Sequence, residues 1–398
     1  MMECRRRMAY WQNWSGKLSQ KLEAVHFVRS VEDISAIIRD LAPGERVRVA
    51  GAGHSHAPLV IGGERILDLG GFSGVKNTDV HHQRARISAG TPIYTLGQAL
   101  HSSGLALRNQ GDIDRQSLGG ACATGTHGSG RALQNLSANI EAVQLIDGEG
   151  CLRELSRDSL GDDFDAVKVG LGAFGVVTEI EMNCREAFKL REVSFQRTGD
   201  ELVANLHQMM QTHERFEFFW QPRQDQGLVK TMAETDDAPE YPIAKEGERC
   251  GWNYEVLPNH RPHLHTEMEY SVAAADGPAC FAEIRDLLMN TFTEVQWPVE
   301  YRTLAQDDAW LSNAYRRETV TISVHQDVRV DEADYYAACE SIFKAYQGRP
   351  HWGKVHYLDG ENLASLYPKW RDWWRLRDHL DPRGIFLNDF LARVRPKR

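Results

Sequence analysis

Hydrophobic and polar positions change period several times along the first 110 residues. Residues 31–41 carry apolar side chains at helical spacing, and Ser30 is a suitable N-cap for a helix there. Residues 46–50 and 83–89 alternate at period two, which predicts strands, whereas residues 95–103 return to a helical pattern. We therefore expect small α/β units joined by glycine-rich loops.

The next segment predicts a hairpin. Two apolar stretches, 140–146 and 151–155, flank the turn sequence Asp-Gly-Glu-Gly at 147–150. A third β-branched stretch at 176–182 follows a glycine cluster and predicts another strand.

The character of the chain changes near residue 187, where charged and aromatic residues become more frequent and glycine less so. A helical pattern at 276–292 and a strand pattern at 318–327 alternate there. Residues 233–265 are rich in Glu, Pro and His, which predicts a long surface excursion. We place a domain boundary near residue 186.

Composition narrows the class of protein. A chain of 398 residues is too long for one core of typical size, and its net charge of −10 argues against nucleic-acid binding and against charge-driven membrane attachment. The 7 cysteines are widely spaced without a CxxC pair, which indicates free thiols in a reducing compartment and no zinc or other metal site. Without a secretory signal or a run of 18 apolar residues, we expect a cytoplasmic protein with no membrane span.

Three glycine clusters point to a cofactor. The strand at 46–50 runs into Gly-Ala-Gly-His-Ser-His at 51–56, whose bare amides suit a pyrophosphate. No third glycine completes a GxGxxG motif, so a nicotinamide site is disfavoured. Small residues fill 119–130, and a third cluster occupies 170–175. Three such loops favour an extended nucleotide cofactor over unrelated turns.

Combined, these motifs resemble a known family. GAGHS at 51–55, QSLGGACATGTHGSG at 116–130 and LGAFGVVTEIEM at 171–182 are similar to the vanillyl-alcohol-oxidase type of FAD-binding fold, within it to the aldonolactone oxidase and alditol oxidase branch. NWSG at 13–16, RPHWGK at 349–354 and an Asp-Pro-x-Gly-x-Phe-x-Asn ending resemble the same branch.

The resemblance implies an α+β fold of two domains. An FAD-binding domain of the PCMH type would span residues 1–186 and be completed by residues 366–398. An antiparallel-sheet substrate (cap) domain would span residues 187–365.

The resemblance also implies the cofactor site. His54 would be joined covalently to the 8α-methyl group of FAD, which raises the flavin reduction potential and tethers the cofactor. The implied FAD-binding residues are Gly51, Ala52, Gly53, His54, Ser55, His56, Asp112, Ser117, Leu118, Gly119, Gly120, Thr124, Gly125, His127, Val177 and Asn388.

Candidate catalytic residues lie in the second half of the chain. Period two places Glu300 and Arg302 on one strand face. By resemblance, Arg302 stabilises the substrate oxygen that develops charge, Glu300 orients Arg302, and Lys354 is a cation near the flavin or a substrate hydroxyl. His325 shares a strand face with Ser323 and is a general base, a substrate hydrogen-bonder or a structural residue of the sheet.

The implied reaction is FAD-dependent oxidation of a sugar 1,4-lactone of the D-arabinono- or L-gulono- type. Hydride would pass from the C2 carbinol to flavin N5, and reoxidation by O2 would give H2O2. The run at 109–117 favours this lactone reaction, whereas 302–315 and 349–357 resemble alditol oxidases, which convert xylitol or sorbitol to an aldose and H2O2. A dehydrogenase that uses another electron acceptor also remains open.

Overall fold

The computed structural model describes residues 9–22, 24–245, 247–259 and 261–397. Cys4 and the basic start of the chain lie outside the described residues. The architecture mixes helices with four sheets, two of them small and N-terminal.

The small sheets form around the first glycine loop. One is the antiparallel pair of β1 (Ala9–Gln12) and β2 (Ser19–Leu22). The other is parallel, with strand order β3 (Val25–Phe27), β5 (Arg65–Asp68), β4 (Val47–Ala50).

Helix α1 (Val31–Arg39) connects β3 to β4 and confirms the predicted helix. The Ser30 side chain accepts from the Asp33 amide, and the Asp33 carboxylate accepts from the Ser30 amide. This capping box satisfies two amides that the first turn leaves unpaired.

A six-stranded antiparallel sheet follows. The predicted hairpin is confirmed, with Leu152 opposite Ile146 in the antiparallel pair of β9 and β10. Strand β11 lies at the centre, between β9 and β7, and it also pairs with β8. The strands are β6 (Val75–Asp79), β7 (Arg84–Ser88), β8 (Leu105–Leu107), β9 (Ile140–Ile146), β10 (Leu152–Ser156) and β11 (Val176–Glu186).

The second half of the chain builds an eight-stranded antiparallel sheet of order β15-β12-β14-β13-β17-β18-β16-β19. Its strands are β12 (Lys189–Thr198), β13 (Arg215–Gln221), β14 (Gln226–Glu234), β15 (Glu248–Trp252), β16 (His265–Ala273), β17 (Val299–Leu304), β18 (Thr319–Asp327) and β19 (Arg349–Pro350).

The prediction that residues 233–265 form a long surface excursion is wrong for the middle of that segment. Strand β15 pairs with β12, and it buries Arg249 and Cys250. Arg249 is held in the interior by an ion pair with Glu192 of β12. The prediction failed because the segment is rich in charged residues, and the charge of Arg249 is neutralised by a partner on the neighbouring strand.

Eleven further helices complete the described fold: α2 (Ile93–His101), α3 (Leu118–Ala123), α4 (Arg157–Leu160), α5 (Phe164–Val167), α6 (Gly199–Thr212), α7 (Asn253–Val256), α8 (Gly277–Asn290), α9 (Ala333–Ala345), α10 (Gly360–Leu366), α11 (Trp370–Leu380) and α12 (Asp389–Val394). Across the described parts of the chain, none of the helices combines the length and apolarity that crossing a bilayer requires.

The end of the chain packs against the first α/β unit. The Val47 amide of β4 donates to the Ile385 carbonyl at 2.8 Å. Arg48, which is buried, donates to the carbonyls of Leu59 at 2.7 Å and Leu171 at 2.8 Å and also to that of Phe386. One guanidinium thus ties three distant segments together beside the glycine loops.

Candidate cofactor and substrate site

A large cavity opens between the glycine loops. Its empty space, counted with the solvent-open mouth, is about 1360 Å³. It is lined by segments of all three predicted clusters, among them Gly51, Ala52, Gly53, His54, Ser55, Ser117, Gly119, Gly120, Thr124 and Val177.

Bare backbone is required at the mouth of this cavity. A Cβ on Gly51 would lie 2.1 Å from Ser117 Oγ, and one on Gly119 would lie 2.9 Å from Ala89 Cβ. Gly53 has a φ of +69°, a conformation that favours glycine. The loops therefore approach each other closely, with backbone facing the cavity, and the residues present fit an extended FAD.

His54 lies at the cavity wall, where its ring stacks on Trp14 with centroids 5.6 Å apart. Burial, together with the nearby charge of Lys354, lowers the pKa of His54 to about 4. Lys354 and His351 also line the cavity. At neutral pH this end therefore presents a neutral imidazole and a lysine side chain.

Six of the predicted cofactor residues do not line this cavity. Leu118 is buried in the core and Gly125 lies in a turn with φ of +71°. Asn388 caps α12 through the Leu391 amide and donates to the carbonyls of Pro58 and Ile61, each at 2.8 Å.

The other three lie toward the eight-stranded sheet. His127 Nε2 is 2.6 Å from Glu269 Oε1, and Asp112 forms an ion pair with Arg261. His56 is buried, with Nε2 4.0 Å from Glu267 Oε2.

A buried charge cluster adjoins the Lys354 end of the cavity. Glu267 and Glu269 occupy one face of β16, two positions apart. Lys354 forms an ion pair with Glu267, and the Arg302 guanidinium donates to Glu269 at 2.8 Å. Glu300 also pairs with the Arg302 guanidinium, at 3.4 Å, so Glu269 is the nearer of two carboxylates and the role of Glu300 in orienting Arg302 stays a prediction.

Glu269 also holds two other groups. Ser323 Oγ donates to it at 2.7 Å, and His127 approaches its second oxygen. Burial would raise the pKa of Glu269, but the neighbouring His127 and Arg302 outweigh this and hold that pKa well below its ordinary value. The carboxylate is therefore the anionic centre that fixes Arg302.

Glu300 behaves differently. Burial, which outweighs the opposing effect of Arg302, raises the pKa of Glu300 to about 8. Its Oε1 has no hydrogen-bond partner within the described residues. The strand expectations are confirmed: Glu300 and Arg302 lie on β17, and His325 lies on β18 with Nδ1 2.7 Å from the Pro298 carbonyl.

Comparison with known proteins gives the family. The sequence profile described as D-arabinono-1,4-lactone oxidase matches residues 180–260 and 241–394, and an FAD-binding domain profile matches residues 22–156. The L-gulono-1,4-lactone dehydrogenase of Mycobacterium tuberculosis is 32% identical, with 96% of this chain and 98% of the relative covered. The chain belongs to the D-arabinono-1,4-lactone oxidase family.

Other relatives of this family member are more distant. The L-gulonolactone oxidase of Bos taurus is 25% identical, covering 96% of this chain and 98% of its own. The alditol oxidase of Streptomyces sp. is 27% identical, covering 95% of this chain and 97% of its own. The protein is an FAD-dependent oxidoreductase, as the sequence motifs indicated.

Solved structures confirm the fold. The cholesterol oxidase of B. sterolicum superposes with a TM-score of 0.83 at 16% identity, covering 98% of this chain and 97% of that one. The expected α+β architecture of the vanillyl-alcohol-oxidase type is therefore correct.

The sequence reasoning missed several residues of this family member's site. Glu267, Glu269 and His265 share a face of β16. The alternation of polar and apolar residues in HTEMEYS at 265–271 is a signal that could have identified this strand and its polar face. His351 lies in the RPHWGK motif but was not predicted as a site residue, and Arg261 gave no local signal. Only tertiary contacts bring His351 to the cavity and Arg261 to Asp112.

Proposed function

We propose that this protein oxidises the C2 alcohol of a sugar 1,4-lactone of the D-arabinono- or L-gulono- type. The alcohol becomes a ketone, and O2 takes up the two electrons and two protons to give H2O2. The names of the family and of the M. tuberculosis and bovine relatives support this substrate class.

The observation that carries the proposal is the convergence of Arg302 and Lys354 on one face of β16. Both cations are held by buried carboxylates, Glu269 and Glu267, beside the end of the cavity that Lys354 lines. Fixed cations in a water-poor site stabilise charge that develops on a reacting oxygen. An uncharged sugar derivative needs such local help but no long-range charge steering.

Each residue of the cluster then has a task. Arg302 stabilises the C2 oxygen of the substrate as the C–H bond at C2 breaks. Glu269 and Glu300 hold the guanidinium in place. Lys354 binds a substrate hydroxyl or supports negative charge at the cofactor. His325 accepts the hydroxyl proton or hydrogen-bonds to the substrate.

FAD would lie along the glycine loops at 51–55, 117–124 and Val177, and when bound it accepts the hydride. We propose that His54 holds it covalently through the 8α-carbon. The pKa of about 4 supports this role, because a neutral imidazole has a lone pair available for bond formation at pH 7.

A second candidate reaction has its own support. The segments 302–315 and 349–357 resemble alditol oxidases, and the Streptomyces alditol oxidase aligns with 95% of this chain. Likewise, the 32% identical relative is called a dehydrogenase, which favours an acceptor other than O2.

Anaerobic mixing of the flavin-loaded protein with L-gulono-1,4-lactone, D-arabinono-1,4-lactone, xylitol and sorbitol tests the substrate class. We expect rapid bleaching of the flavin absorbance by a lactone and slow bleaching by the polyols. The reverse order would establish the alditol reaction. Admitting O2 and then, separately, an artificial dye measures which acceptor restores the colour.

Acid precipitation tests the linkage. We expect the yellow colour to stay with the precipitated wild-type protein. With the His54→Ala variant, we expect the colour to appear in the supernatant. The control is His101→Ala, which removes a histidine that packs on Trp252 outside the cavity. Colour retained by the His54 variant would rule out attachment at this residue.

A further inference from the structure

A second pocket adjoins the segment that follows the first glycine loop. It is bounded by residues 56–58, by residues 355–357 and by helix α12, and we call it the α12 pocket. Its empty space, counted with the solvent-open mouth, is about 670 Å³. Ala57 lines both this pocket and the cofactor cavity, and the other walls of the two spaces differ. The α12 pocket is therefore a space separate from the cofactor and substrate site.

Arg393 brings a positive charge to this pocket without a matching carboxylate. Its guanidinium carbon lies 5.1 Å from the centroid of the Phe390 ring, and its Nη2 donates to the His356 carbonyl at 3.1 Å. Among the described residues, no carboxylate lies within ion-pair distance of this guanidinium. Burial lowers the pKa of Arg393, and the more distant charges of Glu340 and Asp359 do not offset that effect. The side chain is thus held in place while most of its N–H groups stay available.

The acidic groups around the pocket are engaged elsewhere. Asp389 lines the pocket, but its carboxylate pairs with Arg46 at 3.0 Å. Glu340 accepts from the Tyr270 hydroxyl at 2.5 Å and from the Tyr357 amide at 2.7 Å. Neither carboxylate occupies the guanidinium of α12, which keeps its capacity to bind an anion.

His356 supplies a second group. It is 3% exposed, it lines the pocket, and neither of its ring nitrogens has a hydrogen-bond partner among the described residues. The ring packs edge-on against Trp352 and Phe390, with centroids 5.7 Å and 5.4 Å apart. Burial and the nearby Arg393 lower the pKa of His356 to about 3, so the imidazole is neutral and carries one N–H. A buried donor without a partner costs free energy, and an anion that accepts from it removes that cost.

The rest of the lining is largely apolar. Ala57, Pro58, Val355 and Phe390 contribute hydrocarbon surface, and Tyr357 adds an aromatic ring that is 43% exposed. A carbon skeleton gains free energy when it is buried against such a surface, whereas an inorganic anion does not. A few fixed polar groups within an apolar lining are the usual composition of a small-molecule site.

We propose that the α12 pocket binds a small organic carboxylate. The oxygens of the ligand accept from the Arg393 guanidinium and from the His356 N–H, and its carbon skeleton packs on the apolar lining. A planar guanidinium matches two carboxylate oxygens at once, which a point charge cannot do. The site goes beyond the proposed oxidation and does not rest on it, because binding is measured without turnover.

Calorimetric titration of the flavin-loaded protein with sodium benzoate tests the site. We expect one benzoate per chain in the wild type, at least tenfold weaker binding by Arg393→Gln, and weaker binding by His356→Phe, which keeps a ring but removes its N–H. Arg375→Gln is the matched control, because the Arg375 side chain is 70% exposed on α11 and pairs with Asp372. Benzamide, the neutral counterpart of benzoate, and inorganic phosphate are each expected to bind at least tenfold more weakly than benzoate.

The outcomes that overturn the proposal are distinct. Absence of saturable benzoate binding by the wild type overturns it, and so does equal binding by the Arg393 and Arg375 variants. Benzamide that binds as tightly as benzoate would exclude a carboxylate site, and phosphate that does so would exclude the role of the apolar lining. Lys354→Met separates the two spaces: unchanged benzoate binding supports the α12 pocket, whereas a loss there, with Arg393→Gln unaffected, would place benzoate at the substrate end of the cofactor cavity. The flavin content of each variant reports that it is folded.

Discussion

Replacing the carboxylate of Glu269 by an amide tests how Arg302 is held. Glu269 is 1% exposed and accepts from Arg302 at 2.8 Å, from His127 at 2.6 Å and from Ser323 at 2.7 Å. Hydrogen bonds to charged groups contribute about 1.5–3 kcal/mol, against about 1 kcal/mol for neutral pairs. Glu269→Gln reduces two of these hydrogen bonds to the neutral value, a loss of about 0.5–2 kcal/mol each, so we expect the free energy of unfolding to fall by about 1–4 kcal/mol.

By the proposed mechanism, the same change also loosens Arg302. We expect Glu269→Gln to slow flavin reduction at least tenfold, which corresponds to about 1.4 kcal/mol of barrier. Stopped-flow absorbance with saturating substrate measures the rate, and urea unfolding at equal flavin loading measures the stability.

Glu340→Gln is the matched control for this prediction. Glu340 is also buried, but it accepts from neutral groups, the Tyr270 hydroxyl at 2.5 Å and the Tyr357 amide at 2.7 Å. Because Glu340 also accepts two hydrogen bonds on a carboxylate, we expect a similar loss of about 1–4 kcal/mol but an unchanged rate of flavin reduction. If the two variants lose equal stability and both reduce flavin normally, Glu269 does not hold Arg302.

The pH dependence has a defined sign. The pKa of Glu269 is held below its ordinary value, so its contribution to stability is present above about pH 4.3 and is lost as the pH falls through the folded-state pKa. The difference between wild type and Glu269→Gln is therefore expected to be constant from pH 6 to pH 8 and to shrink in acid.

Three further outcomes are expected. The pKa of Glu300 is about 8, so we expect flavin reduction to slow as the pH rises through 8, because the ionised carboxylate offsets the positive charge of Arg302. Stopped-flow rates between pH 6 and 10 should lose this pH dependence in Glu300→Gln. A rate that rises with pH would instead identify Glu300 as the base. Gly128→Ala places a Cβ 2.1 Å from the Gln110 carbonyl oxygen, so urea unfolding should show a free energy of unfolding lower by about 2 kcal/mol. Wild-type stability of this variant would show that the loop can move away from the added methyl group at no cost. Asn388→Ala removes a helix cap and two buried hydrogen bonds, so the free energy of unfolding should fall by about 2–3 kcal/mol while the flavin-to-protein ratio stays constant. Loss of flavin without loss of stability would instead place Asn388 in the cofactor site.

The parts of the fold that were predictable have strong local signals. Helix α1 has a capping box and a periodic apolar face, and strand β18 alternates throughout 319–327. Strand β15 was missed because its residues are charged and flanked by Pro, His and Glu. Their burial depends on β12, more than fifty positions earlier, which supplies Glu192 to Arg249.

The candidate site divides in the same way. The glycine loops with His54 were predicted as a cofactor site, and these loops line the cavity. His127 and Asp112 belong to equally recognisable motifs, yet their side chains bond to Glu269 and Arg261 and do not line the cavity. A motif gives the loop but not the direction in which each side chain leaves it.

By itself, the sequence determined the family and the three glycine loops, because backbone that approaches a cofactor excludes large side chains and the exclusion is visible as clusters of small residues. The tertiary structure decided which charges meet. Antiparallel register places Glu267 opposite His325 and Glu269 opposite Ser323. Neighbouring groups, Lys354 for Glu267 and His127 with Arg302 for Glu269, then hold the pKa of each carboxyl group well below its ordinary value, against the effect of burial. Register and burial are set by partners far along the chain, and local periodicity specifies a face without naming what lies across from it.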